Sequence, residues 1–372
     1  MDVLRPVERL LATADLGARS RRELEAVAAA LVSGAIAFVG GLVALAILRG
    51  ETHPLAGPRS VGGVAAAAAA VTAGASFVGA YLRTTDPRHV ATVQRLGSVV
   101  RVLAGACLTV VSMGFAYIAI LTISLVFQEG FAGLEMDTFA GALAVAIAGG
   151  VAAYLAHPLG EEIDTRVLGM LVPAFLVVGV LFSMLTASDS TWWEVHFSEL
   201  GAGGGISGIA FNGTLVVSGL LVATMAAYIT HDLERAVPEG GRTAWVGRLL
   251  ATIGILMLLT GVVRVDWVQW LHIGLAAGMV LVFLVLCSLL PWLAPGLPRG
   301  VHAVSILMVA GTLFALVLWV PIGYYNFTGF EFAACGLIFV WLTTFLRAIA
   351  AVTDDRDAAD RETARSATTD AA

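Results

Sequence analysis

Ten long apolar runs dominate the chain, and short polar stretches separate them. Each run has roughly 20 residues, the length that an α-helix needs to cross a hydrocarbon layer of about 30 Å. Because lipid offers no hydrogen-bond partner to an exposed peptide group, each run predicts a membrane-spanning helix. The predicted spans are residues 27–48, 61–82, 102–127, 138–156, 167–187, 206–230, 245–263, 267–290, 301–321 and 330–350.

The two ends of the chain carry a different pattern. Residues 1–26 hold five arginines and leucines at helical spacing, which is typical of an amphipathic helix lying on the cytoplasmic membrane surface. Residues 351–372 are small, polar and charged, which predicts a disordered cytoplasmic tail. Between these ends we predict a four-helix membrane region at 27–156 and a six-helix membrane domain at 157–350.

The placement of arginine predicts the orientation, since every basic residue is an arginine. All but three of the 21 arginines fall in the two ends of the chain, in alternate connections between the predicted spans, or, for Arg248 and Arg347, in the span turn next to these segments. The exceptions are Arg49, Arg59 and Arg264. Because cytoplasmic connections are rich in basic residues, we expect an all-α, polytopic bundle in the cell membrane with both termini in the cytoplasm.

Composition supports a membrane protein and excludes few functions. The chain is 59% hydrophobic and 13% charged, whereas a soluble domain has about 25% charged residues. The net charge of −6 is spread over loops and tails, so we expect membrane lipid and no nucleic acid as a partner.

We expect Cys107, Cys287 and Cys335 to be small apolar residues, without a disulfide or a thiolate metal site. We predict no cofactor and no metal, and the pattern leaves the oligomeric state open.

The polar stretch 188–213 carries most of the residues capable of chemistry. Trp193, His196, Ser198 and Glu199 precede the sixth span. His196 and Glu199 are three residues apart, so a helix would place them on one face, where they can bind a metal or polarise a water molecule. Two ligands do not make a metal site, and a solvated loop beside an interfacial tryptophan explains the same residues.

Two polar residues lie inside predicted spans near this stretch. Asn212 is about six residues into the sixth span and His272 about six residues into the eighth, which places both roughly 9 Å deep. Hydrogen bonding between helices explains each of them singly. Their equal depth, with Arg264 and Asp266 on the next outer turn, predicts a shared outward-facing polar pocket. Arg264 and Asp266 can also simply pair with each other.

Other polar residues lie at the ends of spans. No span has a charged residue in its middle third, which weighs against an ion-coupled transporter, although backbone carbonyls can still bind Na⁺. His157, His231 and His302 fall at predicted cytoplasmic ends, with Asp232 beside His231. These residues fit either a metal site or ordinary polarity at helix ends.

Small residues predict how the helices pack. Glycines of the first and fourth spans predict close approach of two backbones. These are Gly34, Gly40, Gly41, Gly141, Gly149 and Gly150. Gly203 to Gly205 instead predict a turn at the start of the sixth span.

Several short motifs in the second half resemble a known family. They are SELG at 198–201, FNG at 211–213, SGLL at 218–221 and the segment 261–279, which contains His272. Over roughly residues 167–350 the chain resembles the membrane proteins of domain-of-unknown-function family 998, which is similar in turn to the Frag/DRAM/Sfk group linked to lipid handling and autophagy. The family's acidic position is more often Asp, where this chain has Glu199. The resemblance implies the fold and an outward-facing polar cluster, and no established reaction.

Three functions fit these observations. The first is a lipid-associated membrane protein with an outward-facing polar pocket. The second is a His- or metal-dependent membrane lipid hydrolase that uses His272, His196 and Glu199. The third is a small-solute transporter. Whether the protein is an enzyme is left open at this point.

Overall fold

A computed structural model describes residues 18–48, 50–84, 97–161, 165–237 and 242–370. Within these residues the chain forms ten long helices, and each is long and apolar enough to span a membrane. The prediction of an all-α, polytopic bundle is confirmed. The helices are α1 Ala18–Ile47, α2 Val61–Arg83, α3 Gly97–Gly130, α4 Thr138–Glu161, α5 Thr165–Thr186, α6 Ile206–Ala236, α7 Thr243–Val262, α8 Gln269–Leu293, α9 Arg299–Trp319 and α10 Phe327–Asp370.

A small sheet joins two connections in the first half of the chain. Strand β1, Thr52–Pro54, pairs antiparallel with β2, Glu135–Asp137, and His53 lies opposite Met136. The amide N–H groups of Leu55 and Ala56 both donate to the side chain of Gln128 at the end of α3. These bonds satisfy amide groups of the connection between β1 and α2, as backbone polar groups away from bulk water require.

The two ends of the chain differ from expectation where the structure describes them. Residues 18–26 are the first turns of α1, and the rest of the predicted amphipathic segment 1–26 lies outside the described residues. The expected disordered tail at 351–372 instead continues α10 as far as Asp370. Ala, Arg and Glu are strong helix formers, and a helix that has already formed extends without a new nucleation cost.

The chain divides into two compact units, Met1–Ile163 and Asp164–Ala372. In the first unit α4 packs against both α1 and α2, and α2 also packs against α3. Small residues allow this approach. A Cβ atom on Gly41 would lie 3.0 Å from Val145, and one on Gly149 would lie 2.7 Å from Ala37. The packing prediction is wrong for Gly40, where a Cβ would meet nothing within 4 Å.

In the second unit each helix from α5 to α10 packs against the next along the chain. Helix α10 also packs against α5 and α6, which closes the bundle. The centre contains large side chains, including Phe283 of α8 and Trp341 of α10, whose ring centroids are 5.4 Å apart. The indole N–H of Trp341 donates to the hydroxyl of Ser305 on α9 at 2.8 Å. A buried indole thus keeps its hydrogen bond.

Helices α6 and α7 meet along a seam of glycines. A Cβ on Gly254 would lie 2.5 Å from the amide nitrogen of Ala223, and one on Gly261 would lie 2.6 Å from the carbonyl oxygen of Asn212. Gly247 lies seven residues before Gly254, and a Cβ there would lie 1.8 Å from the hydroxyl oxygen of Thr230. A seven-residue spacing returns to one helix face after two turns. The seam therefore fixes the height of Asn212 against the end of α7.

The connection between α5 and α6 is the largest polar element of the second unit, and we call residues 187–205 the cap segment. It contains two 3₁₀ helices, Trp192–Glu194 and Phe197–Gly201. Gly203 then turns the chain into α6 with φ +76°, a conformation that costs glycine little. A turn at this position was predicted from Gly203 to Gly205.

Candidate functional site

The cap segment is hydrogen-bonded to two other connections at the same end of the bundle. The amide N–H of Phe197 donates to the carboxylate of Glu331 in the first turns of α10 at 2.5 Å. The side-chain amide of Asn326 donates to the carbonyl of Trp193 at 2.6 Å. The amide N–H of Gly203 donates to Asp266 at 3.2 Å. The segment is therefore held over the ends of α6, α8 and α10.

An apolar cluster lies beneath the cap segment. Trp192, Leu200 and Phe211 are buried together. The ring of Phe197 contacts Trp192, with centroids 5.5 Å apart, and Phe211, with centroids 6.4 Å apart. Burial of these side chains positions both 3₁₀ helices, because burying one large apolar side chain contributes about 1.5–3 kcal/mol.

Ser198 and His272 form a direct hydrogen bond at this site. Nε2 of His272 lies 2.8 Å from the hydroxyl oxygen of Ser198, and Nδ1 lies 2.6 Å from the carbonyl oxygen of Val263. Because a carbonyl oxygen only accepts, Nδ1 carries the proton. In the neutral ring Nε2 is then the acceptor, and the Ser198 hydroxyl donates to it. Ser198 is 9% exposed and His272 is 2% exposed, so bulk water does not compete for the bond.

Asn212 anchors the same 3₁₀ helix from below. Its side-chain NH₂ group donates to the carbonyl of Gly201 at 2.8 Å and to that of Gly208 at 2.9 Å. Gly201 follows Ser198 by three residues, which is one turn of a 3₁₀ helix. Asn212 and His272 were predicted to lie at equal depth. Asn212 bonds to Gly201 at one end of this turn, and His272 bonds to Ser198 at the other end. Oδ1 of Asn212 is buried with no hydrogen-bond partner among the described residues.

Arg264 and Asp266 pair with each other on the turn between α7 and α8. The guanidinium of Arg264 donates twice to the carboxylate of Asp266, from Nε to Oδ1 at 3.0 Å and from Nη2 to Oδ2 at 2.6 Å. The hydrogen bonds from Arg264, together with a weaker one from the amide of Gly203, lower the pKa of Asp266 below its usual range. Arg264 and Asp266 therefore pair with each other, which is the simpler of the two arrangements that the sequence suggested. Asp266 also holds the cap segment through its hydrogen bond from Gly203.

His196 and Glu199 share one face, as the spacing predicted, with Nε2 of His196 3.9 Å from the carboxylate of Glu199. Nδ1 of His196 is buried without a hydrogen-bond partner among the described residues. Both ring nitrogens of His272 are already hydrogen-bonded. Within the part of the chain that the structure describes, His196, Glu199 and His272 do not form a group of three close metal-ligand atoms.

The other histidines of the second unit lie apart from this site. His231 faces Asp232 at 3.5 Å near the end of α6, and His302 faces the carbonyl of Ala294 at 3.1 Å. His157 belongs to the first unit. Ordinary polarity at helix ends accounts for His231 and His302.

The second unit matches a known family. Residues 170–348 match the family model described as protein of unknown function (DUF998). These residues form a DUF998 domain. No curated protein and no solved structure matches the chain. The resemblance drawn from the SELG and FNG motifs is therefore confirmed, whereas the link to the Frag/DRAM/Sfk group stays a prediction.

Exposed tryptophans flank the polar site of the DUF998 domain. Trp193, Trp267 and Trp270 are 51%, 66% and 76% exposed. Tryptophan is enriched where the headgroup region meets the hydrocarbon, since its ring is apolar and its N–H is polar. Trp192 is buried instead, so an aromatic belt explains Trp193 and does not explain its neighbour.

Glu331 is the residue of the DUF998 domain that the sequence reasoning missed. It lies at the start of the predicted span 330–350, and it accepts the amide hydrogen of Phe197. The available signal was a carboxylate at the start of a predicted span, which is costly in lipid and usually has a partner. The predicted site residues Trp193, His196, Ser198, Glu199, Asn212, Arg264, Asp266 and His272 all lie in the cap segment, in the α7–α8 turn, or in the first turns of α6 and α8.

Proposed function

We propose that the DUF998 domain is a membrane lipid hydrolase in which Ser198 is the nucleophile and His272 is the general base. The observation that carries this proposal is the direction of the hydrogen bond between them. The Ser198 hydroxyl donates to Nε2 of His272. The Val263 carbonyl accepts from the N–H at Nδ1 and so keeps the ring proton on that nitrogen. A hydroxyl next to a base whose orientation is fixed by a third group is the arrangement that activates a serine.

The reaction follows from this arrangement. His272 takes the hydroxyl proton as the Ser198 oxygen forms a bond to the ester carbonyl carbon. The bond between that carbon and the leaving alcohol then breaks, and His272 returns the proton to the alcohol. Water releases the acyl group from Ser198 in a second round of the same proton transfers. The carbonyl of Val263 stabilises the ring while it carries the additional proton.

Two features support a lipid ester as the substrate. Trp193, Trp267 and Trp270 are exposed beside the site, which favours a position at headgroup depth, where the ester bonds of lipids lie. Oδ1 of Asn212 is a buried acceptor with no donor among the described residues, and a hydroxyl of the substrate would supply one. Because Ser198 is buried, the substrate enters after the cap segment moves, and Gly203 to Gly205 give the backbone freedom for this movement.

The proposal is tested by labelling the full-length protein in detergent with a fluorophosphonate probe, which reacts with activated serines. We expect one label, identified at Ser198 by peptide mass, and none in Ser198→Ala. Ser207→Ala is the matched control, because Ser207 is also buried but its hydroxyl oxygen lies 2.8 Å from the carbonyl of Ser183 and 3.1 Å from that of Leu200, so its one hydrogen is bound to backbone and not to a base. That variant should label like the wild type.

His272→Ala should slow labelling by roughly 10²–10⁴-fold, the usual contribution of a general base. Release of fatty acid from mixed phospholipid vesicles should fall in parallel. A wild-type protein that melts cooperatively but takes up no probe would contradict the proposal, as would labelling that His272→Ala leaves unchanged.

Burial of the pair favours a second candidate, which is lipid binding without turnover. Here the Ser198–His272 bond only fastens the cap segment to α8. The protein should then retain a co-purified lipid against Trp193 and Trp270 while remaining unlabelled. Small-solute transport stays a prediction, and a metal-dependent hydrolase is not favoured because His272 has no ring nitrogen left for an ion.

A further inference from the structure

Two arginines lie over tryptophans at the end of the DUF998 domain opposite the cap segment. The guanidinium of Arg242 is 4.0 Å from the ring centroid of Trp292, and that of Arg248 is 4.8 Å from the ring centroid of Trp245. The amide N–H of Arg242 donates to the carbonyl of Leu293 at 2.7 Å, which joins the start of α7 to the end of α8. Both tryptophans are more than half exposed, and so are the arginines at the surface. We call these four side chains the arginine–tryptophan patch.

The two positive charges lie at the level of the first turn of α7. Arg242 directly precedes this turn. Arg248 follows Trp245 by three residues, which places its Cα about 4.5 Å further along the helix, but its guanidinium reaches back over the Trp245 ring. A long basic side chain that begins inside a membrane directs its charge to the headgroup region in this way.

The guanidiniums of the patch keep their N–H donors available. At the other end of the domain Arg264 also lies over a tryptophan, Trp267, at 5.0 Å, but it donates twice to Asp266. Among the residues that the structure describes, no carboxylate or carbonyl takes this part for the side chains of Arg242 and Arg248. Because the donors of a guanidinium lie in its plane, a ring over one face leaves them open to an outside acceptor.

We propose that the arginine–tryptophan patch binds the phosphate of an anionic phospholipid. Guanidinium N–H groups match phosphate oxygens in pairs, and basic residues at a membrane surface attract anionic lipids. Deeper along the same two helices, Ile255 of α7 and Leu289 of α8 are 51% and 41% exposed. Acyl chains therefore meet an apolar surface on the helices that carry the patch, which favours a lipid over free phosphate. The patch and Ser198 lie at opposite ends of the domain, so this binding does not depend on the proposed hydrolysis.

The test uses the full-length protein in detergent, freed of co-purified lipid. It is titrated with phosphatidylglycerol or with phosphatidylcholine of the same acyl chains, and bound lipid is counted by native mass spectrometry. We expect phosphatidylglycerol to bind about tenfold more tightly, as charge-assisted hydrogen bonds imply. It should also raise the melting temperature, because a ligand that binds only the folded state stabilises it. The double variant Arg242→Gln, Arg248→Gln should lose this preference, and each single variant should weaken it.

Arg299→Gln is the matched control. It removes an equal charge at the same end of the domain, where α9 begins, from an exposed arginine that lies over no aromatic ring among the described residues. It should bind phosphatidylglycerol like the wild type, and an equal loss there would refute the assignment to the patch.

Two further results would overturn the proposal. The first is a wild type that binds the two lipids equally. The second is a double variant that melts cooperatively and keeps the preference for phosphatidylglycerol. Inorganic phosphate alone should leave the melting temperature unchanged, and protection equal to that by phosphatidylglycerol would contradict a lipid as the ligand.

Discussion

Two histidines of this protein, His157 and His272, have their ring protons positioned by the same principle. In each, Nδ1 carries the ring proton and donates it in a hydrogen bond to an oxygen, and Nε2 faces a second group. The second group decides the chemistry. For His272 it is the hydroxyl of Ser198, which can donate, and this is the pair that we propose as base and nucleophile. For His157 it is the carboxylate of Glu161 at 3.7 Å, which is beyond hydrogen-bond distance.

Asp266 provides a prediction at the scale of a single residue. In Asp266→Asn the ion pair with Arg264 is lost and the hydrogen bond to Gly203 weakens. We expect faster amide hydrogen exchange in a peptide covering residues 200–206, measured by mass spectrometry at pH 7. Asp189→Asn is the control, because Asp189 accepts only from Thr191 in its own turn among the hydrogen bonds described. Equal exchange in the two variants would show that Asp266 does not hold the cap segment.

The same residue gives a pH dependence. The pKa of Asp266 is lowered in the folded protein, mainly by the hydrogen bonds from Arg264. A lowered pKa stabilises the fold above the unfolded value of about 3.9, and this contribution is lost as the pH falls through the folded value. We therefore expect the difference in melting temperature between the wild type and Asp266→Asn to be constant from about pH 5 to 8. The difference should shrink below about pH 4, and a difference that grows in acid would contradict the assignment.

At the scale of elements, glycine seams set the register between neighbouring helices. On α6 a Cβ at Gly219 would lie 2.4 Å from the amide nitrogen of Leu258 and 2.5 Å from the carbonyl oxygen of Gly254. These atoms belong to the backbone, so no rotamer change can relieve the contact. Without a hydrophobic force between helices in lipid, close backbone approach is a main source of packing energy. The seam also fixes the position of Asn212 beneath the cap segment.

Gly219→Ala should therefore push α6 and α7 apart. We expect a loss of about 1–3 kcal/mol, the usual cost of overpacking, seen as a lower melting temperature by tryptophan fluorescence. Gly213→Ala is the matched control on the same helix, because a Cβ there would meet nothing within 4 Å. It should leave the melting temperature unchanged or raise it slightly, since alanine favours helix over glycine. The seam is refuted if the two variants melt alike.

At the scale of the whole molecule, the helices present apolar side chains outward and tryptophans at both ends of the DUF998 domain. Ile36 and Phe314 are 66% and 63% exposed in their respective units, as expected for surfaces in contact with lipid. Trp193 and Trp270 mark one end of the domain. At the other end Arg242 lies over the ring of Trp292 at 4.0 Å. Aromatic side chains at both ends match two membrane interfaces.

The predicted orientation is tested by labelling single cysteines in intact cells. The background replaces Cys107, Cys287 and Cys335 with alanine. Ser190→Cys lies in the exposed part of the cap segment, and Gly300→Cys lies at the opposite end of the bundle, where a side chain meets open space. Because the arginine bias predicts that the cap segment lies outside, a membrane-impermeant maleimide should label Ser190→Cys alone. Labelling of Gly300→Cys alone would reverse the orientation.

The sequence by itself determined the ten spans and the DUF998 family, because apolar length and short motifs are local properties that no distant contact changes. It also placed the candidate residues at one end of the bundle around the cap segment, since alternate connections of a helical bundle share one end. Only the tertiary structure decided which of them bond. Ser198 and His272 are 74 positions apart, and Glu25 meets His157 from another helix. Such pairs depend on the rotation and height of each helix, which close backbone packing at glycines such as Gly219 sets and which hydropathy does not record.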